Sequence, residues 1–161
     1  MDELAAELAP QKIASLFIYT NEAHPGENYP HLTSFEQKMR HARAFQQIFN
    51  LARSILVDSL DGVCHRAYGS MPNMSWIFDR AGRPIYKADW TSVTSIRTAL
   101  QDLQANIERR RSSGQNFSPF RVERLEYRPN DPAAFQRGLE RNGPKAVAEF
   151  ASQTERWRRE E

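Results

Sequence analysis

Apolar and polar positions along the chain alternate in blocks that predict strands and helices in turn. An apolar run over residues 13–19 has no polar face, which is typical of a buried parallel strand. A second short apolar run covers residues 54–58, and a short helical pattern over residues 1–8 precedes both runs. Between the strands, apolar residues at helical spacing predict an amphipathic helix with one buried stripe: Phe35, Met39, Ala42, Phe45, Ile48 and Phe49.

The second half of the pattern predicts a hairpin followed by three helices. Residues 76–87 alternate around a glycine turn, as an antiparallel hairpin does, and residues 93–111 form an amphipathic helix. Residues 112–116 have the composition of a linker. Two further helical patterns predict a helical hairpin that packs on the domain or on a second copy. We therefore expect an α/β domain over residues 1–111 and a linker with a helical extension over residues 112–161.

Composition narrows the class of protein. The 161 residues are 40% hydrophobic and 26% charged, with a net charge of +2 and one cysteine. No apolar run is long enough to span a bilayer, and one cysteine excludes an intramolecular disulfide, so a cytoplasmic protein without a membrane partner is expected. Arginines cluster at residues 109–111 and 156–159, but interleaved glutamates dilute their field, and nucleic-acid binding is not expected.

A polar cluster follows the first predicted strand. Glu22 and His24 stand at its carboxyl end, where α/β sheets usually carry their chemistry. A carboxylate beside an imidazole can relay protons as a general acid and base, so both residues are candidate catalytic groups. The alternative is a hydrogen-bonded pair that only fixes the end of the strand. Tyr19 either lines the same site or only packs at the end of the strand.

Other polar residues carry structural expectations. Asp58 and Asp61 are expected to cap the following short helix. Cys64 has basic neighbours, but adjacent residues on a helix point apart, so a redox role is not expected. His41 lies among arginines and is expected at the surface. The four histidines lack metal-ligand spacing and no glycine-rich phosphate loop is present, so neither a metal nor a nucleotide cofactor is expected.

Four segments together resemble one known family. Residues 17–25, which contain Tyr-x-x-Glu-Ala-His, and residues 55–58, 66–72 and 79–87 resemble the iodothyronine deiodinases and their bacterial thioredoxin-like relatives. The resemblance covers about residues 3–103, and the order of several motifs makes it more specific than any one of them. It implies a thioredoxin-like fold in which Pro72 is cis and borders the reactive thiol.

The resemblance also implies roles for individual residues. Glu22 and His24 would surround the family nucleophile, and Tyr19, His31 and Pro72 would line the substrate site. The implied reaction is a thiol-dependent reduction, with a small-molecule or thiol substrate and an external thiol reductant. No metal or other cofactor is implied.

The family nucleophile has no counterpart between residues 1 and 161. The resemblance therefore implies a thioredoxin-like fold lacking its first strand and half of its first helix, with a C-terminal helical extension. Such a chain is expected to be a truncated oxidoreductase that is inactive by the family mechanism as given. The alternative is a non-catalytic thioredoxin-fold binding or dimerisation module that forms a homodimer.

Overall fold

The computed structural model describes residues 1–69 and 71–160, so Ser70, within one of the four resembling segments, lies outside the described residues. The structure mixes helix and sheet, with 49% helix and 11% strand. Its elements are α1 (Asp2–Leu8), β1 (Phe17–Tyr19), α2 (Phe35–Ile48), β2 (Ile55–Val57), α3 (Val63–Tyr68), β3 (Ser75–Phe78), β4 (Pro84–Ala88), α4 (Val93–Ser113), α5 (Pro132–Asn142) and α6 (Pro144–Glu160). This order confirms the predicted succession of helices and strands.

The chain forms two compact units. The first combines Met1–Pro72 with Asn130–Glu161, and the second is Asn73–Pro129. This division does not follow the expected boundary between residues 111 and 112. The reason is that α5 and α6 pack with the N-terminal part of the chain, so the C-terminal hairpin belongs to the first unit.

The first unit contains a short parallel ladder. Strands β1 and β2 pair with Phe17 opposite Ile55 and Tyr19 opposite Val57. The ladder is shorter than the apolar run over residues 13–19, because β2 has only three residues to pair with. Helix α2 packs on β1 through Phe45, whose ring stacks on that of Phe17 with centroids 5.2 Å apart.

The buried face of α2 differs from the predicted apolar stripe. Ser34 caps the helix by accepting a hydrogen bond from the Gln37 backbone N–H at 3.1 Å. The buried residues of the helix are Lys38, His41 and Ala42, whereas Phe35, Ile48 and Phe49 are exposed. The expectation that His41 lies at the surface was wrong, because the helix turns this imidazole inward.

The C-terminal hairpin holds the loop that follows β1. The Asn142 side chain donates to the His24 carbonyl at 2.6 Å, and the Glu27 carboxylate accepts from the Lys145 backbone N–H at 2.9 Å, at the start of α6. A Cβ at Gly26 would lie 2.3 Å from the Asn142 carbonyl oxygen, so only glycine permits this approach. The corner between α5 and α6 therefore fixes the loop.

The second unit is a hairpin followed by a long helix. Strands β3 and β4 are antiparallel, with an irregularity between Ile77 and Phe78. The Asp79 carboxylate stabilises their turn by accepting from the backbone N–H groups of Ala81 and Arg83, both at 2.9 Å. Ser92 caps α4. None of the helices described is long and apolar enough to cross a membrane.

The predicted cis proline is absent. No cis peptide bond occurs among the described residues, so the Met71–Pro72 bond is trans. Pro72 lies exposed in a turn just before β3. The trans form of an X–Pro bond is intrinsically favoured by about 0.5–1 kcal/mol. The described turn therefore adopts the ordinary isomer, and the cis expectation was wrong.

Candidate functional site

Three polar side chains meet at the carboxyl end of β1. Tyr19 is the last residue of β1, and its hydroxyl donates a hydrogen bond to Glu22 Oε1. The same carboxylate oxygen lies 3.2 Å from Nδ1 of His41, which α2 supplies. The edge of the Tyr29 ring packs against the His41 imidazole at 5.2 Å between centroids. We call Tyr19, Glu22 and His41 the triad.

Burial shifts both titratable members of the Glu22–His41 pair toward neutrality. It raises the pKa of the Glu22 carboxyl to about 7. Burial, assisted by the positive charge of Arg40, lowers the pKa of His41 below its usual value. The Glu22 side chain is nevertheless 17% exposed, so it keeps some contact with solvent. At neutral pH the imidazole is therefore uncharged, and both protonation states of the Glu22 carboxyl are populated.

The hydrogen bonding of the triad suits a single shared proton. His41 Nδ1 is buried and has no hydrogen-bond partner among the described residues, although Glu22 Oε1 lies close by. A proton on Oε1 would satisfy this nitrogen, because the protonated oxygen can donate to Nδ1 while it accepts from Tyr19. The geometry therefore fits a neutral carboxyl group held between a donor and an acceptor.

His24 does not join this arrangement. No hydrogen bond or ion pair links it to Glu22 in the part of the chain that the structure describes. Its ring makes T-shaped contacts with Phe135 and Phe150 of the C-terminal hairpin, at 5.4 and 5.5 Å between centroids. Burial lowers the pKa of His24. The expected Glu22–His24 pair is thus replaced by a Glu22–His41 pair.

We expect His24→Ala to weaken folding rather than to impair the triad. Loss of two aromatic contacts is expected to lower the free energy of unfolding by about 1–3 kcal/mol, measured by urea denaturation. His24→Phe is the matched control, because it keeps a ring between Phe135 and Phe150.

The pH dependence of the free energy of unfolding distinguishes wild type from His24→Phe, the two proteins that keep a ring at position 24. Because the pKa of His24 is lowered in the folded protein, the unfolded chain binds its proton more readily, and this residue costs stability as pH falls below about 6.5. His24→Phe should therefore lose less stability than wild type between pH 7 and pH 5. An equal loss in both proteins would contradict this assignment.

The other two predicted substrate-binding residues, His31 and Pro72, make contacts elsewhere and not with the triad. His31 is exposed, and its carbonyl accepts a hydrogen bond from the Gln37 side chain at 3.2 Å near the start of α2. Pro72 is exposed in its turn. Neither residue has a hydrogen bond or ring contact with the triad among the described residues.

Cys64 lies in a setting that disfavours a reactive thiolate. Asp58 accepts hydrogen bonds from the backbone N–H groups of Cys64 and His65 at 2.9 Å, which confirms its predicted cap of α3. Burial and the negative charge of Asp58 raise the pKa of the Cys64 thiol. Asp61 instead forms an ion pair with Arg66 at 3.5 Å. The thiol therefore stays protonated at neutral pH.

His41 is the residue that reasoning from the sequence missed. The predicted buried stripe of α2 consists only of apolar residues, whereas Lys38, His41 and Ala42, which the structure buries, also follow helical spacing. A spacing of i, i+3 and i+4 that includes polar residues could have indicated a second inward face. No cluster of three or more His, Cys, Asp or Glu residues within the described ranges could hold a metal ion.

Comparison with known proteins leaves the site to be interpreted from its own geometry. No protein-family model, curated protein or solved structure matches the chain.

Proposed function

We propose that the chain is a thioredoxin-like, thiol-dependent oxidoreductase similar to the deiodinase-like redoxins. Because residues 1–161 contain no counterpart of the family nucleophile, it is inactive by the family mechanism, and an external thiol takes the place of that nucleophile while the triad transfers its proton. The order strand, helix, strand, hairpin, helix supports the fold assignment. The observation that carries the functional proposal is the Glu22 carboxyl, which has a pKa of about 7 and contacts both Tyr19 and His41.

The raised pKa suits proton exchange with sulfur. A free thiol has a pKa of about 8.5, whereas an ordinary glutamate lies about four units lower and is too weak a base to take its proton efficiently. With a pKa of about 7, Glu22 comes within about two units of a thiol. It can then accept a thiol proton and return it to a departing thiolate near neutral pH.

The proposed step is a thiol–disulfide exchange with a balanced proton. The Glu22 carboxylate takes the S–H proton of an attacking thiol, whose sulfur forms a new S–S bond as the old S–S bond breaks. The departing thiolate receives that proton from Glu22. One sulfur is oxidised and one is reduced, so the external thiol is the reductant.

The remaining members of the triad orient the acid. Tyr19 donates to Oε1 and favours the ionised carboxylate, while the unpaired Nδ1 of His41 favours the protonated form. These opposed effects keep both protonation states accessible. The thiolate comes from the external thiol, because Cys64 has a raised pKa and no contact with the triad among the described residues.

The test is an exchange assay with a small dithiol, dithiothreitol, and a small disulfide, bis(2-hydroxyethyl) disulfide. The chain is expected to raise the exchange rate above the rate in buffer, and Cys64→Ser is expected to retain this increase. Exchange that disappears in Cys64→Ser would contradict the proposed source of the thiolate. An unchanged rate with wild type would favour the non-catalytic binding module instead.

A further inference from the structure

An unusual exposed segment follows α4 in the second unit. Residues 115–129 contain no helix, strand or turn. Within them, four large apolar side chains lie close together in sequence and are 68–94% exposed: Phe120, Val122, Leu125 and Tyr127. Proteins rarely leave so many large apolar groups together in solvent, so this segment is expected to be covered by a partner.

The segment has the properties of an unpaired strand. Among the described residues, no backbone group of residues 119–129 forms a hydrogen bond with another part of the backbone. Phe, Val and Tyr favour strands, and residues 119–125 have the length of an ordinary strand. Its backbone donors and acceptors are therefore available to a second strand.

We propose that residues 119–125 pair antiparallel with the same residues of a second copy of the chain, and we call this stretch the dimer strand. A two-fold axis perpendicular to the ribbon keeps each side chain on its own face. Because opposed side chains share a face, an odd-numbered residue can then oppose only an odd-numbered one, and an even-numbered residue only an even-numbered one. This condition leaves few registers to compare.

The register centred on Val122 matches the side chains best. Val122 then opposes its own copy, and each cation opposes an anion or an aromatic ring. The opposed pairs are Val122 with Val122, Arg121 with Glu123, Phe120 with Arg124, and Pro119 with Leu125. Each unlike pair occurs twice in the dimer.

The two prolines are compatible with this ribbon. In an antiparallel pair, alternate residues direct their N–H and C=O groups toward the partner strand. Pro119 and Pro129 are both odd-numbered, so no ladder bond is lost when the even-numbered residues face the partner. Their own edge cannot be extended fully by a third strand, which limits the assembly to two copies.

Neighbouring registers lose the complementarity. Centring the pair on Arg121 or Arg124 opposes an arginine to its own copy, and centring it on Glu123 does the same with a glutamate. Parallel pairing in register places like charges together throughout. Centring on Leu125 keeps one ion pair, between Arg124 and Glu126, but opposes Val122 to Arg128. The register centred on Val122 is therefore the one that the sequence specifies.

Pairing preserves the contacts that the segment already makes. The hydrogen bond between Ser95 and Glu126 and the stacking of Arg128 over the Trp90 ring lie outside residues 119–125. Arg124 can keep its ion pair with Glu126, at 2.7 Å, because both lie on the same face of the strand. A two-stranded ribbon is itself only marginally stable, so we expect a reversible dimer with a dissociation constant in the micromolar range or weaker.

Charge-reversal variants test both the dimer and its register. Arg121→Glu alone opposes two glutamates at each of the two symmetric pairs, and Glu123→Arg alone opposes two arginines there. Each variant by itself is expected to raise the dissociation constant about tenfold, measured by sedimentation velocity over a concentration series. Arg121→Lys is the matched control, because it keeps the charge and should dimerise as wild type does.

Mixing the two variants is the decisive measurement. In a mixed dimer, the glutamate introduced at position 121 of one copy faces the arginine introduced at position 123 of the other. The native Glu123 and Arg121 face each other at the second pair, so an equimolar mixture is expected to recover wild-type association. A mixture that stays as weak as its components would overturn the register.

Two further outcomes would also decide against the proposal. Recovery confined to a mixture of Arg124→Glu with Glu126→Arg would assign the register centred on Leu125 and overturn the one proposed. A wild-type chain that remains monomeric at about millimolar concentration would assign the exposed segment to a different occupant and overturn the dimer itself.

Discussion

Glu22→Gln is expected to lower the protein-dependent rate of thiol–disulfide exchange about a hundredfold, a usual contribution of a general acid or base. Glutamine keeps the shape of the side chain and an oxygen that accepts from Tyr19. It cannot take or return a proton near neutral pH. The variant therefore separates proton transfer from packing, and the rate is measured at pH 7 with dithiothreitol and a small disulfide.

The same variant is expected to resist unfolding at least as well as wild type at pH 8. Because burial raises the folded pKa of Glu22 to about 7, the folded protein binds this proton more tightly than the unfolded chain does. The resulting stabilisation is complete below the unfolded pKa of about 4.5 and is lost as pH rises through 7. Glutamine stays neutral and avoids that loss. Thermal unfolding at pH 5 and pH 8 measures the difference.

A matched control is Tyr19→Phe, which removes one hydrogen bond to Glu22 Oε1 and keeps the ring. We expect it to raise the pKa of Glu22 further and to shift the midpoint of the pH–rate profile upward. A second variant, His41→Asn, removes the imidazole nitrogen that favours the protonated form of Glu22. If Glu22→Gln exchanged thiols as fast as wild type while Tyr19→Phe changed nothing, the triad would be a structural cluster, and the proposed function would fail.

The regular elements of the fold could be predicted because local signals determine them. Ser34 before α2, Ser92 before α4 and Asp131 before α5 all cap their helices with side-chain hydrogen bonds, and Ser and Asp are among the residue types that most favour this position. The sequence positions of β1 and β2 follow from short apolar runs. These features depend on neighbours within a few residues, so they can be predicted from the sequence alone.

The site could be predicted only in part, because its members come from separate elements. Tyr19 and Glu22 are three residues apart at the end of β1, so their proximity in the sequence predicts a shared site. His41 reaches Glu22 from α2, and His24 is drawn instead to Phe135 and Phe150, more than a hundred residues away. Such long-range packing overrides a contact that sequence proximity suggests.

Asp58→Ala is expected to lower the free energy of unfolding by about 3–5 kcal/mol, because three backbone donors lose a charged acceptor and each such hydrogen bond contributes about 1.5 kcal/mol or more. Asp58 is 6% exposed and accepts backbone hydrogen bonds from Ser59, Cys64 and His65 at 2.8–2.9 Å. Lys38 is 1% exposed and donates to the Ser59 carbonyl at 2.7 Å. The negative charge of Asp58 favours its charged form. The substitution therefore leaves donors unpaired and removes the larger of the two negative charges that favour the Lys38 ammonium group, the other being Asp61.

The pH dependence of this loss follows from the pKa of Asp58. Burial opposes ionisation, but the three backbone hydrogen bonds and the charge of Lys38 outweigh it and hold the pKa below its usual value of 3.8. The stabilisation is thus present above about pH 4 and is lost as pH falls through the folded pKa. The difference between wild type and Asp58→Ala in urea denaturation should shrink below about pH 4.

A double-mutant cycle with Lys38→Met tests whether the buried cation causes much of the loss. Methionine has similar length and no charge, so in the Asp58→Ala background it removes the buried ammonium group. We expect the double variant to be more stable than Asp58→Ala alone, with a coupling of about 1–3 kcal/mol. Asp58→Asn, which keeps one acceptor oxygen, should fall between wild type and Asp58→Ala. Strictly additive losses would mean that Lys38 and Asp58 are stabilised independently, each by its own backbone contacts.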